Sequence, residues 1–131
     1  MSRVVRMAIA VRWADIDALG HVNNATFLTY LEECRDTFMR ESLGDVFLDM
    51  VIVRVEIDYR AEIPVGTDSV DVTCALESVG TSSIRTRERI VIPDGTVAAE
   101  AMTVAVVRDR ETRTSRPWTD AERAALGSID T

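Results

Sequence analysis

The stretch ATFLTYLEECRDTFMRESLGDVFLDMVIVRVEIDYR, residues 25–60, changes its hydrophobic period in the middle. Phe27, Leu31, Cys34 and Phe38 recur at steps of four, three and four, and Leu28 and Met39 widen the stripe. That is the spacing of one apolar face of an α-helix, with Glu32, Glu33, Arg35 and Asp36 on other faces. The pattern predicts a helix over residues 25–42, about 25 Å long, stopped by Gly44 just past its end. Beyond Gly44 the period is two. Val51, Val53, Val55, Ile57 and Tyr59 fall on one side, and Arg54, Glu56, Asp58 and Arg60 on the other, as in a half-buried strand.

The alternation persists downstream. IPVGTD at residues 63–68 turns the chain, with Pro64 and Gly66 as breakers. Val70, Val72, Cys74 and Leu76 make the next apolar face, and Gly80 interrupts it. Ile84, Thr86, Glu88, Ile90 and Ile92 then oppose Arg85, Arg87, Arg89 and Val91. Pro93, Asp94 and Gly95 form a hairpin turn into a last long strand over residues 96–107. Thr119 and Glu122 have the spacing of a capping box at the start of a short closing helix. Upstream, residues 4–13 are apolar and β-branched enough for a first strand. The order is strand, long helix, four strands. Tight turns imply antiparallel neighbours, so the expected class is a two-layer α+β domain in which one helix fills the concave face of the sheet. At 131 residues, without repeats or a linker, residues 1–131 are expected to form one domain.

Composition excludes several functions. A formal net charge of −7 argues against general nucleic-acid binding. All 15 basic residues are arginine, which we read as compositional bias rather than function. Cys34 and Cys74 lie apart and in no C-x-x-C arrangement, so zinc and a disulfide framework are not expected. Two buried reduced thiols fit a reducing cytoplasm. No apolar stretch approaches the ~20 residues that span a bilayer, and no N-terminal signal is visible.

The polar chemistry is concentrated just before the long helix, in DIDALGHVNN, residues 15–24. Two carboxylates, Asp15 and Asp17, precede the chain's one histidine, His21, and Asn23 and Asn24. One of the two asparagines serves as helix N-cap. A helix start also presents unpaired N–H groups and a positive dipole end, which can polarise a carbonyl. A carboxylate held beside it can attack that carbonyl or activate water. The alternative is that loop carboxylates here only cap and solvate.

VRWADIDALGHVNNATFLTYLEECR, residues 11–35, resembles the signature segment of the hotdog-fold acyl-CoA thioesterases, the 4-hydroxybenzoyl-CoA thioesterase-like family. YRAEIPVGTDSVDV and VGTSSIRTRERIV resemble that family's later strands and turns, so the likeness spans about residues 12–107. It implies a hotdog fold, a five-stranded, mostly antiparallel sheet wrapped around one long central helix. It implies hydrolysis of an acyl-CoA thioester without a cofactor or metal. The family's catalytic aspartate falls on Asp17 and its carbonyl-polarising amide on the backbone N–H of Asn24, with His21 orienting substrate, Asp17 or a water. Asn23 and His21 match one broad branch of the family rather than the branch specialised for hydroxybenzoyl-CoA. Asp15 is expected to be structural, bonding loop amides. Gly80, Ser82, Ser83 and Arg85 are candidates for pantetheine and phosphate contacts, unless Arg85, Arg87 and Arg89 are a solvated face paired with acids. Arg108, Arg110, Arg113 and Arg116 are a second basic candidate, the alternative being a flexible tail. The likeness also implies a site shared between subunits of a homodimer or homotetramer, with neither nucleic acid nor membrane as partner. Competing readings are a hydratase or dehydratase of the same fold, and a non-catalytic module binding acyl-CoA or an acyl carrier.

Overall fold

A computed structural model describes residues 4–127. Five strands, β1 (Val4–Ala10), β2 (Met50–Tyr59), β3 (Ser69–Val79), β4 (Ser83–Val91) and β5 (Val97–Val107), form one sheet in the order β1-β3-β4-β5-β2. All four pairings are antiparallel. The long helix α1 (Asn24–Leu43) crosses the concave face and packs on β1, β3 and β4, and a short helix α2 (Asp120–Leu126) follows β5. This is the wrapped-helix architecture that the resemblance implied. No helix among the described residues is long and apolar enough to cross a membrane.

The 3.6 period makes α1 because its apolar stripe meets the period-two faces of the sheet. Phe27, Leu31, Cys34, Phe38 and Met39 are buried against Val70, Val72, Cys74, Ile84 and Ile90. Gly44 ends the helix with φ +59, a left-handed value that disfavours side chains, and its N–H returns to the Arg40 carbonyl. The helix starts one residue before the expected range and ends one residue after it. β1 is shorter than expected. After Ala10 the chain bends into a 3₁₀ turn, Trp13–Asp15, because the Asp15 carboxylate takes the Arg12 N–H at 2.9 Å.

Three assignments of faces need correction. Leu28 is 41% exposed, since α1 leans toward β1, β3 and β4 and leaves its β2 side open. Arg35, expected on a polar face, is buried and points into the sheet. Its Nη1 donates to both oxygens of buried Glu88 at 3.0 and 3.1 Å, and to Thr103 Oγ1 at 3.1 Å. The β2 alternation is broken by a bulge at Val53, where the register steps from Ile52–Ala105 to Arg54–Val104. Ile52 thus joins Val55, Ile57 and Tyr59 on the helix side, and Val51 faces outward.

Candidate active site

The loop before α1 is folded back and stapled from both sides. Asp17 N–H donates to the His21 carbonyl at 3.0 Å, Gly20 N–H to the Asp17 carbonyl at 3.2 Å, and Asn23 N–H to the Asp15 carbonyl at 2.9 Å. Gly20 has φ +86, which suits a glycine in this tight reversal. The turn after β2 holds the other side: Val22 N–H donates to the Ile63 carbonyl and Val65 N–H to the Gly20 carbonyl. Asp17 and the first residue of α1 therefore stand at the same end of the helix.

The two carboxylates have opposite environments. Asp15 is buried and surrounded by donors: Arg12 N–H, the Arg12 guanidinium at 2.9 Å and the Tyr30 hydroxyl at 2.7 Å. Burial alone would push its pKa up, but these hydrogen bonds outweigh burial and hold it below the ordinary value. Asp15 is thus bound by one loop amide and two side chains. Asp17 is 22% exposed in its side chain and accepts one bond, from Leu19 N–H at 2.9 Å to Oδ1. Among the described residues nothing donates to its Oδ2, so this carboxylate can meet a reactant.

Asn23 is the N-cap of the two candidates. Its φ and ψ are −60 and 135, and its side chain accepts from Ala25 N–H at 2.8 Å. Asn24 is the first helical residue, and among the described residues its N–H has no acceptor. The helix dipole and this unpaired donor place partial positive charge at the helix start. His21 Nδ1 lies 3.2 Å from the Val22 carbonyl; a carbonyl only accepts, so this contact assigns a proton to Nδ1. His21 is 3.8 Å from Asp17 Oδ1, too far for a hydrogen bond, and its Nε2 is 4.0 Å from Glu62 Oε2.

Asp17, His21, Asn23 and Asn24 are thus brought together. The other candidates are not brought to them within one chain. Residues 80–83 form the β3–β4 hairpin at the opposite end of the sheet, near the end of α1, and α1 is about 30 Å long. There the Gly80 carbonyl accepts from Arg123 at 2.9 Å, the Ser82 carbonyl from Val107 N–H and the Ser83 carbonyl from Trp118 Nε1. Arg85 alternates with buried Ile84, which puts it on the convex face beside Glu77; Arg87 pairs with Glu77 and Arg89 with Glu100. This is the solvated, acid-paired face. Two of the second arginine cluster pair with acids, Arg110 with Asp49 at 3.0 Å and Arg116 with Glu122 at 2.8 Å, while Arg108 donates to the Arg113 carbonyl.

Sequence reasoning missed two residues at the mouth, Tyr59 and Glu62. The Tyr59 hydroxyl donates to the Asn24 carbonyl at 3.0 Å. Only the tertiary fold brings the end of β2 there, so no local pattern could have revealed it.

The family model of the thioesterase-like superfamily matches residues 11–126. The long-chain acyl-CoA thioesterase FadM of Escherichia coli is 32% identical over 113 residues, 80% of this chain and 83% of that one. A thioesterase of Thermus thermophilus solved with coenzyme A and Zn superposes with a TM-score of 0.85. It is 33% identical, over 95% of this chain and 98% of that one. A predicted thioesterase of Bacillus stearothermophilus gives a TM-score of 0.80 and 29% identity, over 95% and 94%.

Proposed function

The chain belongs to the thioesterase-like superfamily, and from that premise we propose that it hydrolyses acyl-CoA thioesters, using Asp17 and the mouth of α1. The observation that carries this is the contrast between the carboxylates: Asp15 is saturated with donors, while Asp17 keeps a free oxygen in the short loop that leads into the unpaired N–H of Asn24. The thioester carbonyl oxygen sits on Asn24 N–H, where developing negative charge is stabilised by that donor and the helix dipole. Asp17 either attacks the carbonyl carbon, expelling the CoA thiolate and leaving an acyl anhydride for water, or takes a proton from the attacking water. Both routes consume one water and yield acid and thiol. His21, its Nδ1–H held by the Val22 carbonyl, turns Nε2 to orient the substrate or water, and Asn23 fixes the helix start. No cofactor or metal is required.

The same reading includes self-association. β2 is an edge strand ten residues long, with Val53 58% and Val55 38% exposed. Exposed edges of this kind favour pairing. Two-fold antiparallel pairing of β2 with a second copy would set the start of one β2 beside the end of the other. The 80–83 hairpin and the arginines beside Asp49 would then approach the neighbour's Asp17 mouth, where they serve pantetheine and phosphates. Exposed Leu28 and Val55 offer apolar surface to the acyl group. We take residues 1–131 as one such domain acting in the cytoplasm, in keeping with two buried free thiols.

The test is a panel of acyl-CoA esters scored by free-thiol release, run beside light scattering. Thiol release with a dimer or tetramer is expected. Tight acyl-CoA binding with turnover no faster than buffer would leave only a binding module, and an active monomer would remove the shared site.

A further inference from the structure

Tyr59 is the last residue of β2, and its hydroxyl rests on the Asn24 carbonyl from 35 positions away in sequence. That carbonyl lies one residue inside the N-cap, where helix geometry already gives it the N–H four positions on. The hydroxyl therefore does not rescue an orphan group; it adds a second bond to an oxygen with two lone pairs. The ring, 44% exposed, also has a packing partner. It meets Phe27 edge to face, with centroids 5.2 Å apart and planes at 63°, and Phe27 is buried in the core. Just beyond, Arg60 and Ala61 N–H both bond the Ala98 carbonyl, clamping the strand end to β5. The other ties on the mouth, Asn23 Oδ1 to Ala25 N–H and Asn23 N–H to Asp15, come from the adjoining loop. Among the described residues, Tyr59 supplies the one side-chain hydrogen bond from the sheet to the first residue of α1.

We infer that Tyr59 is a positioning residue: its hydroxyl fixes the first turn of α1, and so aims Asn24 N–H at the thioester oxygen. This rests on the reading of the helix mouth as the carbonyl-polarising end. Oxyanion donors act through preorganisation, and small misplacements cost large factors in rate. Because Tyr59 ends the edge strand proposed to pair with a second copy, it also ties the aim of the donor to the placement of that edge.

Two substitutions test this in the acyl-CoA assay. Tyr59→Phe removes the hydroxyl and keeps the ring on Phe27. It should lower kcat about 10-fold, the scale of losing a supporting hydrogen bond, with KM within about twofold. Unfolding midpoint and oligomer size should not change. Asn24→Pro removes the proposed donor itself. Proline suits the first helical position, and the φ and ψ of Asn23 already suit the residue before a proline. It should lower kcat at least ~100-fold. Combined, Tyr59→Phe should cost nothing further, since the group it aims is gone. A persistent tenfold loss in the Asn24→Pro background overturns the inference. So does a raised KM with unchanged kcat in Tyr59→Phe, which would make Tyr59 a substrate contact. Unchanged kcat in Tyr59→Phe with an impaired Asn24→Pro sinks the role of Tyr59 and leaves the mouth intact. Full kcat in a folded Asn24→Pro sinks the reading of the mouth itself. If Asn24→Pro does not fold, the kcat and KM of Tyr59→Phe decide alone.

Discussion

The Tyr30 hydroxyl donates to Asp15 Oδ2 at 2.7 Å, bolting the second turn of α1 to the loop that precedes the helix. Both residues are buried. Tyr30→Phe leaves a buried carboxylate one donor short and should destabilise the protein by about 1–3 kcal/mol. Denaturant titration measures this, and kcat of the folded protein should stay within about twofold. Asp15→Asn should likewise act on stability. If either variant is stable but inactive, Asp15 takes part in the chemistry.

Asp17→Asn keeps the shape of the loop and removes the charge. It should lower kcat at least ~100-fold with little change in unfolding midpoint, because Asp17 is partly exposed and accepts a single bond. A thiol-release rate near that of the unmodified protein would exclude Asp17 as nucleophile or base.

The Arg35–Glu88 pair lies between helix and sheet, with Thr86 and Thr103 hydroxyls on the Glu88 carboxylate at 2.8 and 3.0 Å. Removing one partner strands the other charge in the core. Glu88→Leu or Arg35→Met alone should cost about 3–5 kcal/mol. The double variant should recover most of that loss, because no buried charge is left unpaired. Equal, additive losses in chemical denaturation would contradict this coupling.

Glu122 ties Arg116 to the first turn of α2 through two hydrogen bonds at 2.8 Å. Its side-chain hydrogen bond to Arg116 comes first, and burial opposes it; the net effect lowers the carboxyl from 4.5 to about 2. A depressed acid pKa stabilises the fold above the unfolded value and loses that contribution as pH falls through the folded one. Thermal unfolding from about pH 5 to about pH 2 should therefore show a falling midpoint, partly flattened in Glu122→Gln. An unchanged slope in Glu122→Gln would assign the acid lability elsewhere.

The helix and the sheet were legible because a 3.6 period and a period of two are both written into the apolar residues, and Gly44 marks the switch between them. What failed were positions where a neighbour overrides the pattern. Arg35 looks solvated until Glu88, 53 residues on, is seen beneath it. Val51 and Ile52 exchange faces because one bulged residue, Val53, resets the count. At the site, the local loop could be read from its motif, and the capping preference narrowed the N-cap to two asparagines. Tyr59 and Glu62 reach the mouth only through long-range pairing, which local spacing does not encode. Gly80, Ser82, Ser83 and Arg85 sit at the far end of the chain's own sheet, and a single sequence carries no sign of which end of another copy they would face.

The sheet order sets a timetable for folding. β3, β4 and β5 are successive hairpin neighbours, so they can assemble from local contacts. β1 and β2, the strands on either side of α1 in sequence, dock on opposite edges, with Val4 reaching Ala75 and Met50 reaching Val107. Such distant closures carry the larger entropic cost and come late. Pulse-labelled hydrogen exchange during refolding should find β4 amides protected before those of β1 and β2; simultaneous protection would refute the sequence of events. The mouth of α1 is fastened by the loop after β1 and the last residue of β2, so the proposed site is finished only by the final closures. A chain halted short of them would hold a sheet and no enzyme.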